Sequence, residues 1–480
     1  MPISSLHSPY GIGTLGLAAS EFADFVKQSG AKLWQVLPVG PTGYGDSPYQ
    51  SFSVFAGNPY FIDLDTLISD GLLKKDEVKG LRNPKQIDYK SQYDKRFAVL
   101  RKAFCRFAKK SENDKDYQKF LEEQSAWLEN YAFYMALKNE FDGVEWLKFP
   151  EDVKSGKSLE KLREKTCEEQ EFQKFLQFEF YKQWQSLHDY CKEIGVRIVG
   201  DIPIYTSLDS SDVFFSPELF QLDENKLPKA VAGCPPDAFS EDGQLWGNPL
   251  YDWEYQSGNN FEWWIGRIKH AFSLYDIVRI DHFRGFESYY SIPYGSKNAK
   301  KGKWVKGPDF SLFKQVKSQL GDVEIIAEDL GMIDKKVQRL LDRTGFCGMK
   351  VLQFAFGDTN RNKYLPHEYD KNCVVYTGTH DNTTTRAWFD ELTEREKKRV
   401  CDYLNCESDT AVESMIRSAI SSNAKYAVIP MADILELGAS GRINTPSTLG
   451  GNWVWRVGRR DLSKTRATKV RKLCEIYGRI

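Results

Sequence analysis

Short runs of apolar, β-branched residues recur along this chain, each leading into a loop, and no other feature constrains the fold as much. They lie at 33–39, 60–64, 196–204, 275–280, 323–327, 349–356, 373–376 and 427–429. Their hydrophobicity is continuous rather than alternating, as in strands buried on both faces of a parallel sheet. Most are separated by stretches of helical periodicity, such as 261–271 and 335–342. Eight strands alternating with helices predict an α/β fold, a (β/α)8 TIM barrel, although a doubly wound open sheet fits the same pattern.

Uneven spacing adds detail within one catalytic unit spanning 1–480. Residues 66–192 are charged, helix-prone and almost free of glycine, far too long for a crossover helix, and predict a helical insertion subdomain. Residues 206–260 hold Gly233, Pro235, Pro236, Gly243, Gly247 and Pro249, and predict a loop-rich insertion over the site.

Acids stand at the ends of four of these runs: Asp201, Asp281, Glu328 and Asp381. In a barrel the carboxyl ends of all strands converge on one mouth, so these acids would meet. A single acid after a strand is usually a helix cap or an ion-pair partner. Four together cost energy unless they share protons, bind a cation or do chemistry. Arg279 precedes Asp281 by two residues, so both share one strand face, and the guanidinium would orient the carboxylate as a nucleophile requires. Two carboxyls with separated pKa values are what glycoside cleavage needs. His380, beside Asp381, is read as a ligand contact. Gly11-Ile-Gly-Thr-Leu-Gly16 matches a dinucleotide fingerprint but follows no strand, His367-Glu368 lacks a second zinc histidine, and no Walker loop occurs.

Composition narrows the class. Lys+Arg 66 against Asp+Glu 67 gives a net charge of −1, which argues against nucleic acid or an anionic membrane as partner. Aromatics make up 14%, and a surplus of Trp and Tyr suits flat apolar ligand faces such as sugars. Nine cysteines without a C-x-x-C pair read as reduced thiols of a cytoplasmic protein. No signal-peptide pattern and no spanning apolar run of about 18 residues is present.

Strings along nearly the whole chain resemble the amylomaltases, or 4-alpha-glucanotransferases, of the amylase-like clan. They are Ile3-Ser-Ser-Leu-His-Ser-Pro-Tyr-Gly-Ile-Gly, Trp34-Gln-Val-Leu-Pro-Val-Gly, Gly45-Asp-Ser-Pro-Tyr-Gln-Ser, Gly200-Asp-Ile-Pro-Ile-Tyr, Pro235-Pro-Asp and Gly243-Gln-Leu-Trp-Gly-Asn-Pro-Leu-Tyr. Arg279-Ile-Asp-His-Phe-Arg-Gly, Ala327-Glu-Asp-Leu-Gly, Thr377-Gly-Thr-His-Asp-Asn and Asn452-Trp-Val-Trp-Arg follow in family order.

The resemblance implies a barrel with inserted subdomains and no C-terminal β domain. It also implies retaining transfer of a 1,4-alpha-glucan segment to the 4-hydroxyl of glucose or another glucan, without a cofactor or metal. Asp281 would be the nucleophile, Glu328 the general acid/base and Asp381 the third carboxylate. Arg279, Asp201 and His380 would surround the cleaved sugar, and Tyr49, in the Ser47-Pro-Tyr segment, would stack on it. Phe239 and Trp246 would lie on a loop covering the glucan. The expected partners are maltodextrin donors and acceptors, with the enzyme a monomer or weak homodimer. Thr14, Thr383 and Ser447 depart from the family pattern, at positions that do not touch the three carboxylates. The residues alone leave a plain glucan hydrolase, a magnesium-dependent barrel enzyme and a non-catalytic glucan-binding protein open.

Overall fold

A computed structural model describes residues 1–43, 45–81, 85–236, 240–331, 333–357 and 362–480. Its strands, in chain order, are β1 (Leu33–Gln35), β2 (Arg197–Ile202), β3 (Ala230–Cys234), β4 (Gln244–Pro249), β5 (Ile277–Ile280), β6 (Ser288–Pro293), β7 (Lys303–Lys306), β8 (Ile325–Ala327), β9 (Cys347–Val351), β10 (Cys373–Tyr376) and β11 (Tyr426–Val428). Seven form one sheet in the order β1-β2-β5-β8-β9-β10-β11. Every neighbouring pair in it is parallel, with Asp201 opposite Arg279 and Arg279 opposite Ile326. The sheet curls into a nearly closed barrel. Its edge strands do not pair; Gln35 and Val36 on one side and Val428 and Ile429 on the other line a common cavity of about 90 Å³. The Tyr376 hydroxyl donates to Gln35 Oε1 at 2.9 Å, tying β10 to β1.

One expected strand is absent. The apolar run 60–64 forms a 3-10 turn at Pro59–Phe61 followed by a helix at Leu64–Ser69. Capping overrides hydrophobicity here. The Asn58 side chain accepts from Tyr60 N, Pro59 occupies the first helical position, and Asp63 accepts from Thr66 N. Ile62 and Leu64 are still buried, but against the barrel rather than within its sheet. Likewise the run 349–356 is strand only to Val351, then a 3-10 turn at Leu352–Phe356.

Between Thr66 and Lys192 the described residues contain helices and no strand. The 27-residue helix Cys167–Glu193 buries Phe172, Phe175, Phe178, Phe180 and Trp184. Two of its glutamines attach it to the barrel loops. Gln177 Oε1 accepts from Gly57 N at 2.7 Å while its Nε2 donates to Gly57 O at 3.0 Å, and Gln183 Oε1 accepts from Asp63 N at 2.6 Å. The same helix holds Glu179, only 1% exposed, whose Oε2 has no partner among the described residues. Burial pushes this carboxyl up to about 7 against the weaker pull of Lys182. The folded state therefore binds the proton more tightly than the unfolded one. This contribution is complete below the ordinary carboxyl range and is lost as pH rises through about 7. Glu179→Gln should accordingly stabilise the protein by about 1–3 kcal/mol at pH 8 and hardly at all at pH 5, measured by urea unfolding at both pH values.

The span 206–260, read as loop-rich, holds more regular structure than its Gly/Pro content indicates. β3 and β4 lie in it, and a four-stranded antiparallel sheet runs β4-β3-β6-β7. β3 and β4 pair with each other inside the span, whereas β6 and β7 come from beyond Asp281. Gly233 is obligatory in this sheet, since a Cβ there would stand 2.1 Å from Gln244 O.

Candidate functional site

Parallel strands deliver their carboxyl ends to one mouth, and the chemically suggestive side chains gather there. Asp201 lies near the end of β2, Asp281 directly follows β5, Glu328 directly follows β8, and Asp381 lies five residues past β10. Asp201 and Arg279 are fully paired inside the barrel. One Arg279 guanidinium nitrogen donates to both Asp201 oxygens at 2.7 Å, and the other donates to Asp281 Oδ1 at 3.0 Å. Burial alone would lower the Arg279 pKa; Asp201 and then Asp281 outweigh it and hold the group well above its ordinary value. A permanent cation thus stands against Asp281, whose side chain is 32% exposed to the cleft.

Glu328 is in a different environment. His282 N donates to its Oε2 and Leu330 N to its Oε1, both at 2.7 Å. These donors and Arg279 favour the ionised form, yet burial, reinforced by the charge of Asp281, wins and raises the carboxyl to about 7. A carboxyl poised near neutrality suits acid/base chemistry on a glycosidic oxygen, and the arginine orients the carboxylate beside it.

The remaining predicted residues extend this cluster. The Tyr49 hydroxyl donates to Asp201 Oδ2 at 2.8 Å, and its ring stacks on His380 with centroids 5.1 Å apart. His380 Nε2 lies 3.3 Å from Asp381 Oδ1. Ser47 shapes the turn that presents Tyr49, accepting from Tyr49 N at 3.3 Å. Trp246, on β4, meets the His282 ring edge-on at 4.9 Å. Phe239 lies outside the described residues.

Three features escaped the sequence reading. Asn444 Nδ2 donates to Asp381 Oδ1 at 2.7 Å and Arg442 donates to Asp381 O at 3.0 Å, so the third carboxylate is held from a segment some sixty residues later. Trp453 packs against both Tyr49 and His380. His282 adopts a left-handed backbone, φ 48°. Only a polar side chain preceding Thr445-Pro446 hinted at Asn444. Ser447, where the family resemblance leads one to expect glycine, takes φ 62°, the conformation for which glycine is favoured.

Known proteins similar to this chain fall in one family. A family model described as 4-alpha-glucanotransferase matches residues 1–461. The 4-alpha-glucanotransferase of Clostridium butyricum is 49% identical, with 100% of each chain covered. That of Streptococcus pneumoniae is 45% identical, covering 100% of this chain and 96% of its own. Among solved structures, the amylomaltase from Streptococcus agalactiae in complex with acarbose superimposes with a TM-score of 0.97 at 40% identity, covering 100% of this chain and 98% of that one.

Proposed function

From the premise that this chain belongs to the 4-alpha-glucanotransferase family, we propose that Asp281, Glu328 and Asp381 carry the reaction. The protein is a 4-alpha-glucanotransferase, an enzyme that moves a segment of a 1,4-alpha-glucan to the 4-hydroxyl of an acceptor by retaining double displacement. In the first step Asp281 forms a bond to the anomeric carbon as the bond from that carbon to the departing 4-oxygen breaks, and Glu328 gives that oxygen its proton. In the second, Glu328 takes the proton of the acceptor's 4-hydroxyl, whose oxygen displaces Asp281 from the same carbon. Two inversions retain the α configuration. The observation that carries these roles is the contrast between Glu328, raised to about 7, and Asp281, braced by Arg279.

Asp381, 49% exposed and held by Asn444, is read as the group that bonds sugar hydroxyls as positive charge develops on the ring. Tyr49 and His380 form one wall of the cleaved sugar's site and Trp246 another, with Asp201 acting through Arg279 and Tyr49 and Ser47 shaping the Tyr49 turn. Family resemblance supports reading Phe239 as a further glucan contact. Maltodextrins are read as donor and acceptor, neither nucleic acid nor a membrane as a partner, and the enzyme as a cytoplasmic monomer or weak homodimer. No helix among the described residues is long and apolar enough to cross a membrane, and the nine cysteines form no disulfide with one another.

Incubation with maltotriose in the presence of a chelator tests the reading. The expected result is a ladder of longer oligosaccharides plus free glucose at nearly constant total reducing ends. Rising reducing ends with only shorter products would make the enzyme a hydrolase. Loss of activity restored by magnesium would make the three acids metal ligands.

A further inference from the structure

His282 sits between the nucleophile and the acid/base in a conformation that L side chains adopt rarely and at a cost, φ 48° and ψ 50°. That turn aims its main-chain N–H at Glu328 Oε2, 2.7 Å away, while the next N–H, of Phe283, donates to Glu328 O at 3.0 Å. The side chain is fixed separately. Its ring meets Trp246 edge-on, interplanar angle 87°, and its Nε2 is buried with no hydrogen-bond partner among the described residues. Trp246 is itself held, donating from Nε1 to Gln244 Oε1 at 3.0 Å.

We propose that His282 is a positioning residue for Glu328: packing of its ring on Trp246 holds the left-handed turn that presents its N–H to the acid/base, so the glucan-covering wall and the proton donor move as one unit. The inference rests on Glu328 being the acid/base. Only such coupling gives this strained backbone a consequence at the cleft. The charged groups acting on Glu328 are Asp281 and Arg279 from the end of β5, and Tyr364 also feels its charge. The His282 imidazole, lowered to about 4 by burial, is neutral across the working range and does not titrate there itself.

The test compares His282→Val, whose β-branched side chain opposes the left-handed turn, with His282→Asn, which tolerates it. Removing the N–H donor takes stabilisation from the carboxylate, so the Val variant should show the alkaline limb of kcat/KM for maltotriose at higher pH, with turnover lower by about 10- to 100-fold. Its fluoride burst from α-maltotriosyl fluoride should persist. There Asp281 bonds to the anomeric carbon as the carbon–fluorine bond breaks, and fluoride leaves with the bonding electrons without a proton from Glu328. The Asn variant should keep the wild-type limb. Trp246→Leu, which leaves position 282 untouched, should move the limb in the same direction as Val, and it carries the test should the Val variant misfold. A wild-type limb in both Val and Trp246→Leu variants, or an equal shift in the Asn variant, overturns the proposal. Maltotriose turnover and an alkaline limb that both survive in Glu328→Gln would instead overturn the catalytic assignment beneath it.

Discussion

Glu328→Gln should lower disproportionation of maltotriose by about 10²- to 10⁴-fold at every pH, the range that a general acid/base supplies. The wild-type enzyme should show an alkaline limb in kcat/KM near pH 7, because the first step needs the protonated acid and Glu328 gives up its proton at about 7. The sign follows from the causes. Burial and the neighbouring Asp281 charge both oppose ionisation, so the acid form persists well above the ordinary carboxyl range and disappears only as pH passes neutrality. The Gln variant has no such proton, so its residual rate should lose the limb. An unchanged limb in that variant would assign the ionisation elsewhere.

Arg279→Met should be costly twice over. Its side chain is 5% exposed and forms the ion pair of Asp201, which is fully buried and otherwise accepts from the Tyr49 hydroxyl. Losing one partner leaves a buried charge unpaired, and stability should fall by about 3–5 kcal/mol in denaturant unfolding. Turnover should fall by at least about 100-fold as well, because Asp281 loses the cation that orients it. Arg279→Lys should not rescue either property, since a point charge cannot engage two carboxylates as the planar fork does. The double variant Arg279→Met/Asp201→Asn separates the effects. It removes the unpaired charge and should regain most of the stability, while turnover stays lost. If the double variant is active, Arg279 only balances charge.

The core of this site was legible because it lies on strands. Period-two alternation puts Arg279 and Asp281 on one face, and strand ends meet at a mouth whatever separates them in the chain. Asp201, Asp281 and Glu328 could therefore be placed together from position alone. Asn444 could not: it reaches Asp381 through an irregular segment, and irregular backbone has no periodicity to read. The left-handed turn at His282 was equally invisible, because histidine carries no signal for it as glycine does. The same limit explains the fold discrepancies. Asn58, Pro59 and Asp63 turned an apolar run into capped helical turns, since the Asn58 and Asp63 side chains each accept from a backbone N–H that a strand would have paired elsewhere and Pro59 fixes the first helical φ. β3 pairs locally with β4, but its other partner, β6, lies beyond β5, so the four-stranded sheet was not legible from the span itself.

Local chemistry written along the chain points to most of the barrel strands and to the acids at their ends, because burial on both faces and strand-end acids are properties of short segments. Tertiary structure alone decided how those carboxylates differ. The protonation of Glu328, after β8, depends on burial and on the charge of Asp281 at the end of β5, while Asp281 is held by Arg279 of its own strand. An electrostatic environment is a sum over neighbours in space, and only the folded chain brings those neighbours together.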